Sequence, residues 1–299
     1  MKRRPHSEDE LLELIQKELP SPSSDVLVGI GDDCAVVKTS TNRTTLNLLK
    51  TDALVEGIHF LPETPLTQIG WKALCRPISD IAAMGGIPHH ATITVAAPAS
   101  WANTEWRALY RGIGKAAHAF NVSIVGGETV KSPGPLFLSV SLTGTASKSH
   151  LRLRSGGNPG DLLCVTGKLG GSLKSGRHLR FHPRLSEGRW LSAEPGVTAM
   201  MDLSDGLGSD LPKLATASRC TFLIVSESLP LHQDCTLNEA ITDGEDYELL
   251  ISITPKLWPD LQSRWEKTFP KLPLTVIGSL LTSQESSTQL LSGYDHFQQ

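Results

Sequence analysis

Apolar residues change their spacing several times along this chain, and each change marks a structural element. Leu11, Leu12, Leu14, Ile15 and Leu19 fall on one side of a helix, and Ser7 followed by Glu10 is a capping-box pattern at its start. Pro20 and Pro22 end that helix. Short β-rich runs follow at 26–30, 34–37 and 46–51. A longer helical pattern covers 67–84, with Pro77 inside it as a kink or restart. Residues 91–97 read as a strand, Asn103 as the cap of a helix running to 120, and 122–125 and 136–145 as further strands. The stretch 146–160 turns polar and ends in Asn158-Pro159-Gly160-Asp161, which suits a tight turn. A domain boundary is expected here, dividing the chain into 1–148 and 149–299. The second part carries strands at 162–166, 222–225 and 247–253 and helices at 207–218 and 255–269. Several strands follow one another with no helix between them. The fold class expected is therefore mixed α+β / α/β in two domains, rather than a pure doubly wound sheet.

Composition narrows the functional classes. The 299 residues are 39% hydrophobic and 20% charged, which suits a globular chain with a sizeable core. A formal charge of −3 gives no general attraction for nucleic acid or an anionic membrane, and neither is expected as a partner. No apolar run is long enough to span a bilayer, and the basic-then-acidic N-terminus lacks a signal-peptide core, so a cytoplasmic location is expected. The five cysteines are odd in number, scattered singly and without a C-x-x-C pair, which predicts free thiols.

Carboxylates supply the chemistry. They recur beside glycine or hydroxyl residues in Gly29-Ile30-Gly31-Asp32-Asp33, Thr51-Asp52, Ser79-Asp80, Gly126-Gly127-Glu128, Asp202-Leu203-Ser204-Asp205-Gly206 and Gly244-Glu245-Asp246. The clusters are expected at or near element ends. Taken singly, each is equally an Asx-turn or a helix cap. Converging from different loops, such acids repel unless cations lie between them, and Mg²⁺ takes this oxygen-only ligand set while bridging to phosphates. His59 stands close to these loops in sequence. There is no G-x-x-x-x-G-K-[ST] loop, no H-R-D catalytic loop, no G-x-S-x-G elbow, and Gly29-x-Gly31 lacks the third glycine of a dinucleotide fingerprint.

In order, GIGDDCAVV (29–37), TDALVEGIHF (51–60), WKALCRPISDIAAMGGIP (71–88), IVGGET (124–129), RSGGNPGDLLCVTGKLG (154–170), MDLSDGLGSDL (201–211), DGEDYELL (243–250) and GYDHF (293–297) span nearly the whole chain. Together they resemble the thiamine-monophosphate kinases of the aminoimidazole ribonucleotide synthetase-like superfamily. The resemblance implies ATP-dependent phosphorylation of thiamine monophosphate to thiamine diphosphate, with several Mg²⁺ ions and usually K⁺. It also implies a homodimer in which the N-terminal domains build a β-barrel and the C-terminal α/β domain covers the nucleotide. By motif match, Asp33, Asp52, Asp80 and Asp205 are expected as metal ligands, with Thr51, Asp202 and Glu128 as further candidates. Gly127, Arg154 and Ser204 are expected at ATP, and His59 and Glu245 at the substrate.

Some positions depart from the family pattern. Glu128 stands where an Asp or Asn is usual, Asp243 replaces a glycine, and Leu291 occupies a position where an aromatic would stack on thiamine. The segment 170–184 is also short beside the helical insert common in the family. No catalytic side chain, nucleophile or base is expected, because a phosphate monoester is already ionised at neutral pH. The alternatives are another ATP-dependent enzyme of the same superfamily with a different substrate, or a non-catalytic nucleotide or thiamine-phosphate binding protein.

Overall fold

The computed structural model describes residues 7–39 and 44–295, with Asp9 lacking a described side chain. Residues 296–299, including the end of the GYDHF motif, lie outside it, as do 1–6 and 40–43. Helix α1 (Glu8–Glu18) starts at Ser7, whose hydroxyl accepts from the Glu10 N–H at 3.2 Å, as its sequence pattern predicts.

A six-stranded sheet follows, made of β1 (Val26–Val28), β2 (Ala35–Lys38), β3 (Thr45–Val55), β4 (Ile87–Pro98), β5 (Ser123–Ser132) and β6 (Phe137–Ser147). Its order is β1-β2-β3-β6-β4-β5, antiparallel except for the β4–β5 pair. Helices α2 (Leu66–Ala83) and α3 (Asn103–Phe120) cover one face. Alternation explains which face: Leu46, Leu48 and Leu54 of β3, Ile93 and Val95 of β4, and Leu138, Val140 and Leu142 of β6 are all buried against Leu74, Ile78, Leu109 and Ile113.

Pro77 sits inside α2 without ending it, so the helix is one continuous element. Asn103 is the first helical residue of α3 and not its cap. Ala102 precedes it, its N–H bound by the Glu105 carboxylate at 3.1 Å.

The rest of the chain forms a second, fully antiparallel sheet of β7 (Leu162–Thr166), β8 (Val197–Asp202), β9 (Thr221–Ile224), β10 (Leu249–Ile253) and β11 (Leu274–Leu281), ordered β8-β10-β7-β11-β9. Helices α4 (Leu185–Ala193), α5 (Leu207–Ala217), α6 (Leu237–Thr242) and α7 (Trp258–Thr268) pack on it. Leu163, Met201, Leu211, Leu214 and Ile277 fill one side, and Met200, Ile251, Leu261 and Trp265 the other. The C-terminal end of α2 reaches this second core through Ala83, where Leu191 and Trp265 meet it.

The mixed two-sheet class agrees with the sequence reading. No closed barrel forms among the described residues: the first sheet is open, with β5 at one edge. Ser123 to Lys131 are all exposed, including Ile124, Val125 and Val130.

Candidate phosphate-transfer site

A polar stripe runs along α2. Lys72, Arg76 and Asp80 are spaced four apart, which puts them on one side of the helix. That side looks toward β3 and toward the loops of the second sheet. Here a cavity of about 1250 Å³ opens, lined by Asp32, Asp33, Lys50, Thr51, Asp52, His59, Arg76, Asp80, Arg154, Ser204, Asp205, Lys213 and Tyr294, among others.

Three carboxylates converge at its edge, Asp33 and Asp80 on the lining and Asp202 behind them. Asp33, Asp80 and Asp202 are all buried, and one oxygen from each lies within 4.8 Å of the others. Asp33 comes from the loop between β1 and β2, Asp80 from α2, and Asp202 from the last position of β8. Ser79, the neighbour of Asp80, donates to Asp202 at 2.6 Å and ties α2 to the second sheet.

Burial raises the Asp80 carboxyl well above the usual range; Lys50 opposes this, while Asp52, Asp202 and Asp33 push further upward. Asp202 is raised to about 6, first by burial and then by Asp33, against its bond from Ser79. Asp32 reaches about 6 for the same two reasons, burial and the charge of Asp33. Asp33 Oδ1 receives Arg154 at 2.5 Å, but its buried Oδ2 has no hydrogen-bond partner among the described residues. An unsatisfied carboxylate oxygen beside two further buried carboxylates is a donor set suited to a hard divalent cation.

Arg154 is fixed by its backbone as well. Its N–H reaches Asp32 at 3.2 Å and its carbonyl accepts from Ser218 at 2.7 Å. Ser204 and Asp205 precede α5, whose first residue follows Gly206 at φ 95°, a value that favours glycine. Lys213 of α5 holds Asp205 at 2.6 Å and Asp210 at 3.2 Å.

Two expected residues stand differently. The Thr51 side chain turns to the sheet's other face, where its hydroxyl lies 3.3 Å from Ser141 and 3.5 Å from Ser139. Thr51 and Asp52 do not close β3 but lie within it, since that strand continues to Val55. His59 lines the cavity, with Nδ1 accepting from the Val55 N–H at 3.0 Å.

Glu245 stands one layer behind the cavity. Its Oε2 receives Lys72 at 2.7 Å and His178 at 2.9 Å, while Lys72 also donates to the His59 carbonyl at 2.6 Å. Burial would raise the Glu245 carboxyl, but the His178 bond and the charges of Lys72 and Arg76 bring it to about 2. Burial pulls Lys72 down to about 8 against the attraction of Glu245, so both groups are charged at neutral pH. The short segment 170–184 contributes His178 to this cluster and Arg177 to Asp246 at 2.5 Å. Asp243 accepts from the Gly171 N–H at 2.9 Å and is not among the residues lining the cavity.

Three expected residues are not brought to the cavity. Gly127 and Glu128 do not follow a strand but lie within β5, on the sheet edge. The register Asp52–Val140–Ile93–Gly127 crosses three inter-strand steps, or about 14 Å. Leu291 is half exposed, and its carbonyl packs on Gly208; Tyr294 is the aromatic that reaches the cavity. Arg76, Lys213 and Tyr294 had not been singled out from sequence, although Arg76 and Asp80 share the spacing that marks one helix face.

Against this geometry, known proteins give a consistent picture. The family described as AIR synthase related protein, N-terminal domain, matches residues 31–146. Thiamine-monophosphate kinase of Bacillus subtilis (strain 168) is 34% identical over 92% of this chain and 94% of its own. The chain belongs to the thiamine-monophosphate kinase family. As a member it is an enzyme of the kinase class. The Rhodopirellula baltica thiamine-monophosphate kinase is 37% identical over 86% of this chain and 84% of its own. A solved structure of AaThiL complexed with AMPPCP and TMP superposes with a TM-score of 0.84 at 30% identity, covering 99% of both chains.

Proposed function

We propose that this chain transfers the γ-phosphate of ATP to thiamine monophosphate, producing thiamine diphosphate, at the acidic cavity between the two sheets. The observation that carries this reading is the convergence of Asp33, Asp80 and Asp202 with a buried, unpartnered Asp33 oxygen. AaThiL, solved with AMPPCP and TMP, has the same fold over the whole chain and indicates which two ligands such a cavity takes. Asp33, Asp80 and Asp202 would hold Mg²⁺, with Asp52 and Asp205 as further ligands on the cavity wall. Bound Mg²⁺ supplies charge neutralisation between two polyanions. K⁺ would join through the same oxygen-rich wall.

The side chains of the chain bind and orient. Arg154, anchored through Asp33 and Ser218, presents its guanidinium to phosphate, and Ser204 meets the nucleotide at the start of α5. His59 lies on the acceptor side of the cavity. Glu245 holds Lys72 and His178 in place behind it. An oxygen of the acceptor monophosphate, ionised at neutral pH, attacks the γ-phosphorus in line, so no side chain serves as nucleophile or base.

Two homodimeric features complete the reading. The exposed edge strand β5 is a template for a second copy, and two open sheets joined there would build the barrel. Gly127 and Glu128, about 14 Å from Asp52 within one chain, would then serve the site of the neighbouring copy. The division at 148/149 would separate the two sheets, with Phe181 and Tyr247 packing back into the first core and Ala83 reaching the second, and the need for ATP fits a reaction in the cytoplasm.

Asp33→Asn tests the site. Turnover of ATP with thiamine monophosphate is expected to fall at least about a hundredfold with an unchanged circular-dichroism spectrum. Full activity in the folded variant would overturn the assignment of the acidic cluster.

A further inference from the structure

Lys50 has no part in the reaction described above, yet it enters the middle of the acidic site. On β3 it shares a face with Leu48, Asp52 and Leu54, the face that α2 covers. Leu48 and Leu54 are fully buried, whereas the Lys50 side chain keeps 22% of its surface. Its Nζ donates to Asp80 Oδ1 at 2.6 Å and lies 3.8 Å from Asp52 Oδ1. The two carboxylates come from different elements and would repel one another across this gap. Beyond Leu49, where pairing with β2 stops, β3 remains registered on β6 through Val55. The strand therefore holds the root of the side chain in place, and the ammonium lies where the two acids meet.

We propose that Lys50 is a resident cation of the phosphate site, its ammonium taking the place of one dissociable metal ion between Asp52 and Asp80. The inference rests on the reading that the cavity holds divalent cations. A fixed ammonium offers three hydrogen-bond donors and one charge, and cannot wash out when free metal is scarce. The converging oxygens of Asp33, Asp80 and Asp202 remain the place for metal, and Asp52 would join them through its other oxygen, leaving the gap between Asp52 Oδ1 and Asp80 Oδ1 to Lys50.

The test counts ions. Mn²⁺ is titrated into the full-length protein without nucleotide, and free Mn²⁺ is followed by electron paramagnetic resonance. Lys50→Met and Lys50→Gln are two neutral replacements of similar length, so that poor folding of one leaves the other. Each is expected to take up one more Mn²⁺ per chain than the unaltered protein. Lys50→Arg is expected to keep the original count. Adding Asp52→Asn to Lys50→Met should remove the gained ion.

An unchanged count in both neutral variants, with Mn²⁺ still lost in Asp33→Asn, would overturn the role of Lys50 alone. No Mn²⁺ bound to any of the proteins would overturn the metal reading and this proposal with it.

Discussion

Glu245 carries its charge where water gives little help, and two backbone contortions keep it there. Its φ is 63° and that of Tyr247 is 52°, left-handed values that cost a non-glycine residue on the order of 1 kcal/mol each. The backbone bonds Glu245 N to Ser204 O at 2.6 Å and Tyr247 N to Leu203 O at 2.8 Å hold them, as does the Phe181–Tyr247 stack at 3.7 Å. A carboxyl held below its unfolded value stabilises the fold above that value and loses the contribution as pH falls through the folded one. For Glu245 the window runs from 4.5 down to about 2. Glu245→Gln should therefore cost about 3 kcal/mol of unfolding free energy at neutral pH, measured in urea. The gap to the parent protein should narrow below about pH 4.5 and close near pH 2. A gap independent of pH would mean that lost packing, and not the ion pair with Lys72, sets the cost. The acids of the site could be read from sequence because each stands in a glycine- or hydroxyl-rich motif. Their counter-ions were less legible: Lys50 shares a strand face with Asp52, but it reaches Asp80, and Lys213 reaches Asp205, only through the fold. Arg76 is the partial exception, because its spacing of four from Asp80 already puts both on one face of α2.

Between elements, α2 and α3 cross with backbone close to backbone. A Cβ on Gly70 would meet the Leu109 carbonyl and Ile113 nitrogen, and one on Gly112 would meet the Thr67 carbonyl. Backbone cannot yield as a side-chain tip can, so Gly112→Ala should destabilise the protein by about 1–3 kcal/mol. Gly114 lies on the same helix with open space around it. Gly114→Ala should stabilise by about 0.5–1 kcal/mol, so paired urea titrations separate packing from helix propensity. If both variants shift stability in the same direction, the close crossing is not what limits residue 112. Most long elements were predictable from period. Pro77 was read as a kink or restart because its ring removes a helix donor, and the packing of Leu74, Ile78 and Ile81 carries α2 through it without a restart. The elements α4, α6 and β11 escaped the sequence reading. At six residues α6 shows too little period, and β11 mixes Gly278 and Ser279 into its apolar run, where a register shift also interrupts its pairing. Glu128 was placed after a strand because Gly126 and Gly127 look like a loop. Gly127 is instead required within β5, where a Cβ would collide with the Ile93 carbonyl.

For the whole molecule, the proposed assembly rests on the open first sheet and its exposed edge. Val125 and Val130 stand 60% and 43% exposed on a strand with no neighbour beyond it among the described residues. On the proposed β5 dimer, a Val125→Lys/Val130→Lys variant should sediment as a monomer where the parent protein sediments as a dimer, and should lose turnover with it, because Gly127 and Glu128 would no longer reach the proposed second site. A variant that stays dimeric would place the interface elsewhere. No described helix is long and apolar enough to cross a membrane. The two sheets are joined through α2, whose Ser79, Asp80 and Lys72 bond to Asp202, Lys50 and Glu245, so one helix ties the acids of both sheets together. The most direct test of this account is ATP-dependent turnover of the purified protein with thiamine monophosphate, following thiamine diphosphate with and without Mg²⁺. The account predicts thiamine diphosphate formed only when Mg²⁺ is present; no product from a folded, ATP-binding protein supplied with Mg²⁺ would contradict it.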